Sequence, residues 1–278
     1  IAYDFAKENW KPFVIIRVRD VITSFILLEP FQNLQAFVNN LLARKPEPIT
    51  VVSLEPIQEI FDILHEKRLS LKNMPETNPK EILDKQSAGY SFYFEDLPKF
   101  TDKLKKALNL LADNQYTSIY QTIGDNIRLS GRPYDETFIS GQLFAISLRV
   151  NRIIKILSAK ARPNNENVFI AIDAIRNPFE AVFFRERYSA FYLISINTPD
   201  SDRISRLQSL NYNETVIKKI DNKEYPKSLS AKQRFISQDI QKCIEISDIH
   251  VNNPGTGTKI TSILKKQLVN YVSLIMHP

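Results

Sequence analysis

Two short runs constrain the fold more than any other feature. VFIAID (168–173) and FYLISIN (191–197) are almost continuously apolar and rich in β-branched and aromatic residues. Runs of this kind, bounded by turn signals, read as strands of a parallel sheet covered on both faces. Each is followed by a helix-start signal. Pro178 suits the first turn of a helix over PFEAVFFRER (178–187), and Thr198 with Pro199 opens a helix at DSDRISRL. ISDIHV (246–251) then reads as a third short strand, and ITSILKKQLVNYVSLI (260–275) as a closing helix. The amphipathic LFAISLRVNRIIKILSAK (143–160) precedes the series. Strand and helix in strict alternation predict right-handed crossovers and an α/β fold with a doubly wound, mostly parallel sheet.

The first half is less regular. IAYDFAKENW (1–10) reads as the end of a helix, broken by Pro12, and FVIIRV (13–18) as a strand. Asp20 is placed to cap a helix over VITSFILL. FQNLQAFVNNLLA (31–43) has a helical period, as do IQEIFDILHEK (57–67) and the stretch 99–112, while 70–90 is polar and loop-like. Residues 31–115 are therefore expected to be a helical insertion, and 1–30 with 116–278 the α/β core.

Composition narrows the chemistry. The 278 residues include one cysteine, Cys243, and three histidines, His65, His250 and His277. One cysteine excludes an internal disulfide and any multi-cysteine zinc site within the chain. Cys243 is expected on a helix over 232–245, packed as a small apolar residue. No run reaches the ~18 apolar residues of a membrane span and no signal-peptide pattern opens the chain, so no membrane association and a cytoplasmic location are expected. The net charge of +6 and pI of about 9.2 fit an anionic partner such as a nucleotide or nucleic acid, or a solvated basic surface. Six glycines are about 2% of the residues, against a usual ~7%.

Four segments hold candidate site residues. In IDAIRNPFEA (172–181), Asp173 ends a strand and could hold a cation, a water or a sugar hydroxyl. Arg176 offers a planar fork for phosphate, and Asn177 and Glu180 could complete a polar cluster. The alternative is Asp173 as a turn cap and Arg176–Glu180 as an i, i+4 pair. In QTIGDNIRLSGRPYD (121–135), Gly124, Gly131, Arg128 and Arg132 are expected in or near an inter-helix loop able to touch phosphate, or as plain turn chemistry. Arg203 and Arg206 at i, i+3 share one helix face and could clamp phosphate, or face solvent. Residues 215–242 carry seven Lys/Arg and three Asp/Glu, a polar stretch that fits a lid over an anion or a loop. NNPGTGTK (252–259) lacks the GxxxxGK[ST] spacing and reads as a turn from Asn252 to Gly255.

Taken in order, these motifs resemble the deoxynucleoside monophosphate kinase-like P-loop proteins. IDAIRNPFEA is similar to their D-x-R-x-x-x-E element, and FYLISINTPDSDRISRL resembles the next strand and Arg-bearing lid helix. SDIHVNNPGTGTKITSILKKQL resembles the last strand, turn and terminal helix, and VIIRVRDVITS the strand and helix after the first helix. More closely, QTIGDNIRLSG, IDAIRNPFEAVFFRERYSAFYLISINT and QLVNYVSLIMHP resemble the kinase-like half of bacterial anti-phage deoxycytidine nucleotide deaminases. The resemblance implies a kinase-like domain that regulates a zinc deaminase domain acting on dCMP or dCTP. It also implies that this chain is a piece of such a protein, without the Gly-rich loop before Ile1 and the deaminase half after Pro278. Zinc is then expected only in that missing half, and Mg²⁺ only with a bound nucleotide. A dNMP, dNTP or NTP, the deaminase domain, a small inhibitory RNA and further copies of the chain are the expected partners. The resemblance assigns no catalytic residue here; Asp173, Arg176, Asn177, Glu180, Arg128, Arg203 and Arg206 are the expected nucleotide-binding set. A stand-alone deoxynucleotide kinase and a basic RNA-binding module are the alternatives.

Overall fold

The computed structural model describes residues 12–44, 53–71, 88–111, 115–164, 167–210, 212–225, 231–253 and 258–276. The helix expected over 1–10, most of the loop expected over 70–90, and Pro254 and Gly255 of the expected turn lie outside them. The chain is mostly helical with two small parallel sheets. It divides into two compact units, Phe13–Ala174 and Ile175–Pro278 with Ile1–Pro12.

In the Phe13–Ala174 unit, β1 (Val14–Arg17) runs parallel to β2 (Ile170–Asp173), with Val14 opposite Ile170 and Arg17 opposite Asp173. Between them come α1 (Val18–Ile26), α2 (Phe31–Ala43), α3 (Gln58–Ser70), α4 (Leu97–Leu111), α5 (Gln115–Ser130) and α6 (Ala145–Ala161). A π-helical stretch, Phe92–Asp96, leads into α4 and buries the adjacent Phe92 and Tyr93 together. The helices α2, α3 and α4, from the stretch read as an insertion, pack in the same unit as β1 and α1.

The centre of this unit is α1. Val18 and every residue from Asp20 to Ile26 are buried, because α4, α5 and α6 pack around the helix. Apart from Arg19 the helix lies inside the core, polar side chains included. Its two hydroxyls must then be satisfied internally. Thr23 Oγ1 donates to the Arg19 carbonyl at 3.0 Å and lies 2.7 Å from the Tyr120 hydroxyl, while Thr101 Oγ1 donates to it at 3.0 Å. One hydroxyl thus ties α1 to α4 and α5.

The second unit holds α7 (Pro178–Arg187), β3 (Ile194–Asn197), α8 (Asp200–Ser209), α9 (Glu214–Glu224), α10 (Ala231–Ile236), α11 (Ile240–Glu245), β4 (Ile249–Asn252) and α12 (Thr258–Met276). β3 and β4 are parallel, Ile194 opposite Ile249. The start of this ladder is locked by Asp248, which accepts from the Leu193 amide at 2.7 Å and ion-pairs with Arg185 at 3.0 Å. The helix expected over 232–245 is broken at 237–239 into α10 and α11, where Asp239 caps α11 through the Lys242 amide. Cys243 is buried on α11.

Several expectations change. The strands form two separate two-stranded ladders, each four residues long, rather than runs covered on both faces. Ile16 and Val251 point into the core at 3% and 1% exposure, while Ile15 and Ile196 remain 59% and 54% exposed. Two-residue alternation leaves one face of each short ladder open. Asp20 does not cap α1, which starts earlier, at Val18; Asp20 sits in its first turn. No single helix among the described residues is long and apolar enough to cross a membrane.

Replacing Thr23 by Val keeps the shape but strips two buried hydroxyls of a partner, a cost of about 1–3 kcal/mol. Urea unfolding should show the loss, and Thr101→Val should recover part of it when combined with Thr23→Val.

Candidate functional site

In parallel sheets, ligands meet the chain beyond the carboxyl ends of the strands. Each ladder has charged or polar residues there. In the first unit these are Arg17 and Asp173, opposite one another, and the charges just after β1. Arg17 Nε donates to Asp20 Oδ2 at 2.7 Å, and Arg19 Nη2 donates to Asp102 Oδ1 of α4 at 2.9 Å. Asp102 lies 3.7 Å from Arg17 as well. Asp173 is exposed. Burial pushes the Asp20 carboxyl above its ordinary value, and the Arg17 hydrogen bond and charge oppose the shift. Its Oδ1 is buried, with the Thr101 hydroxyl nearby.

In the second unit the residues beyond the strand ends are Asn197, Thr198 and Asn253. The Asn253 amide donates to the Asn197 carbonyl at 2.7 Å, holding the two strand ends together. Arg206 of α8 reaches both: Nη2 donates to the Asn253 carbonyl at 3.0 Å and Nη1 to Thr198 Oγ1 at 3.4 Å. Arg203, one turn earlier, points to α9 instead. It makes a bidentate pair with Asp221, at 2.7 and 3.0 Å, and a contact of 3.3 Å with Asp200. The Asp221 hydrogen bond, stronger than the opposing burial, holds the Arg203 guanidinium above its ordinary value. Arg176 ion-pairs with Glu224, also on α9. Asp221 and Glu224 are three residues apart, so the last turn of α9 presents both carboxylates on one side. They meet two of the arginines expected to bind phosphate.

The remaining expected residues have other duties. Asn177 caps α7 by accepting from the Phe179 amide at 2.9 Å, and its Nδ2 donates to the Phe235 and Ser237 carbonyls at 2.9 Å each. At 1% exposure it is a structural knot between α7 and the end of α10. Glu180 is 3% exposed, within α7. The partner of Arg176 is Glu224, not Glu180. Gly124 and Arg128 lie inside α5 rather than in a loop, and Arg128 is 3% exposed with Asp125 at 3.5 Å. A Cβ on Gly124 would stand 3.4 Å from the Arg128 guanidinium, so the glycine makes room for it. Gly131 ends α5 with φ +78°, its amide donating to the Ile127 carbonyl at 2.8 Å.

The structure thus brings Arg176, Arg203 and Arg206 onto the α8–α9 side of one unit, whereas Arg128 is a core residue of the other. The described part of 215–242 is helical, and 226–230 lie outside the described residues. Sequence reading treated Asp20 only as a cap and passed over Arg17, Arg19 and Asp102. The charge run RVRD directly after a strand was the available signal.

No protein-family model, curated protein or solved structure matches this chain.

Asn177→Ala removes a helix cap and the donor to two carbonyls, so a loss of about 2–3 kcal/mol is expected in urea unfolding. Asp20 gives a pH test. A carboxyl raised in the folded state binds a proton more readily there than in the unfolded chain. Its contribution therefore grows as pH falls through the raised value and is lost as pH rises through it. Asp20→Asn should gain stability relative to the parent at pH 7, and the difference should shrink toward pH 4, read by denaturant unfolding at the two pH values.

Proposed function

We propose that this chain is the nucleotide-binding, regulatory kinase-like portion of an anti-phage deoxycytidine nucleotide deaminase. The whole protein would convert dCMP or dCTP to the uracil nucleotide and so deplete the pool a phage uses. The motif order supports this reading: strand, Asp173 with Arg176 and Glu180 at D-x-x-R-x-x-x-E spacing, strand, Arg-bearing helix, strand, closing helix. A doubly wound P-loop kinase-like sheet over 1–30 and 116–278, with 31–115 inserted, belongs to the same proposal, and the two parallel ladders are consistent with it.

The observation that carries the proposal is the double pairing of Arg176 with Glu224 and Arg203 with Asp221. A guanidinium fork accepts carboxylate and phosphate in the same bidentate geometry. The α9 carboxylates stand where ligand phosphate would bind, and a nucleotide would displace them. Arg176 and Arg203 would then hold phosphate, with Arg206 fixing the strand ends beside them. Release of α9 on binding gives the ligand different contacts in two states, which is what regulation requires. Mg²⁺ would accompany a bound triphosphate, and zinc would serve only the deaminase half.

Calorimetric titration with dCMP, dCTP and ATP tests this. Arg176→Ala and Arg203→Ala should each weaken binding by about tenfold, the effect of losing one charge-assisted pair. Asp221→Asn with Glu224→Gln should tighten it several-fold by removing the competitors. Unchanged affinity in the arginine variants, or no binding by any nucleotide, overturns the proposal. RNA binding that falls steeply with salt, without nucleotide binding, favours the basic-module alternative.

A further inference from the structure

Arg68 and Arg149 gather against one side of α1, with Arg152 one turn further along α6, and among the described residues no carboxylate pairs with any of them. Arg68 of α3 is 2% exposed, and its Nε donates to the Ser24 carbonyl at 3.1 Å. Arg149 of α6 donates from Nη1 to the Ser24 hydroxyl at 3.2 Å, and its guanidinium lies 4.2 Å from the centre of the Phe25 ring. Both guanidiniums therefore converge on one residue. Arg152 follows Arg149 by three residues on α6, which puts both on one side of that helix. Tyr93, 6% exposed in the π-helical stretch, bears electrostatically on both Arg68 and Arg149. Among the described residues none of these three arginines has an ion-pair partner, in contrast to Arg17, Arg19, Arg128, Arg176, Arg185 and Arg203.

Cations gathered in a core without a counter-charge are expensive. Burial, and then the neighbouring Arg149 and Arg152, push the Arg68 guanidinium down to about 10. Burial lowers the Arg149 guanidinium too, with Arg152 adding to the effect. Structural arginines inside proteins are normally neutralised by a carboxylate; here each deep guanidinium spends one N–H on Ser24, and the rest of its fork meets no described acid.

We infer that Arg68, Arg149 and Arg152, with the Tyr93 hydroxyl, form an oxyanion site that takes a phosphate group. The planar forks supply paired donors and Tyr93 a further O–H. Arg149 and Arg152 are half-buried and Arg68 is buried, so it is the α6 pair that solvent and an anion can reach. The charge of a phosphate dianion offsets two of the three cations. The site belongs wholly to the Phe13–Ala174 unit and uses none of the α8–α9 arginines, so it stands or falls apart from the proposed nucleotide site.

The test uses the full chain, with inorganic phosphate titrated at constant ionic strength against chloride. Calorimetry and thermal unfolding should show saturable binding and a concentration-dependent rise in melting temperature. Arg152→Ala, at a half-buried position, and Arg149→Lys, which keeps the charge but loses the fork, should each weaken binding by about tenfold. Lys155→Ala, at an exposed position of α6, should leave it unchanged. Far-UV circular dichroism checks that the variants fold. A second arm titrates dCMP in the Arg203→Ala background. Binding tighter than that of phosphate and lost with Arg152→Ala assigns the site to a nucleotide's phosphate, whereas affinity equal to that of phosphate assigns it to free phosphate. No saturable phosphate binding by the parent chain, or equal binding in Arg152→Ala and Arg149→Lys, overturns the inference.

Discussion

The first unit depends on a single constraint: α1 is buried on every side yet carries Asp20, Thr23 and Ser24. Buried polar groups must be hydrogen-bonded, so each of these side chains dictates what packs beside it. Thr23 recruits Tyr120 of α5 and Thr101 of α4. Ser24 draws in Arg68 of α3 and Arg149 of α6. Asp20 holds Arg17 at the end of β1. Four helices are thereby oriented about one by directional contacts, while the apolar residues between them supply the burial. Non-directional burial alone would leave the rotation of α4 and α5 about α1 weakly specified.

The chain handles its arginines in two ways. In the second unit they are tied off: Arg176 and Arg203 by α9, Arg185 by Asp248, Arg206 by strand-end oxygens. These pairs are partly exposed and contribute little stability each, since solvent screens them. Their value lies in direction. Around Ser24 the arginines instead meet neutral acceptors and a ring face, which leaves positive charge uncompensated in a place where it is costly. An uncompensated cluster suits an anion held in the core.

Much of the local structure was legible in the sequence. The apolar period of FQNLQAFVNNLLA gives α2 over Phe31–Ala43, and Pro178 after Asn177 gives α7 over Pro178–Arg187. Both follow from short-range rules of periodicity and capping. The strands were placed within a few residues, but not their depth or pairing. A four-residue ladder pairs partners far apart in sequence, β1 with β2 across six helices, and no local pattern encodes that choice. The two glycines of QTIGDNIRLSG suggest a loop around Arg128, but Gly124 lies within α5. Its real use, clearing space for a guanidinium four residues on, depends on side-chain packing.

The sequence by itself determined the main helical periods, the apolar strand cores and the excess of positive charge, and with one cysteine and three histidines it left lysine and arginine as the main cationic groups for any anion site. These are properties of composition and of neighbours within a turn or two. Only the tertiary structure decided which arginines are neutralised. Arg203 meets a carboxylate 18 residues away, while Arg68 and Arg149, 44 and 125 residues from Ser24, meet none among the described residues. The free energy of a charge is set by burial and by the nearest counter-charge, and both are fixed when distant segments pack, not by the order in which residues are joined.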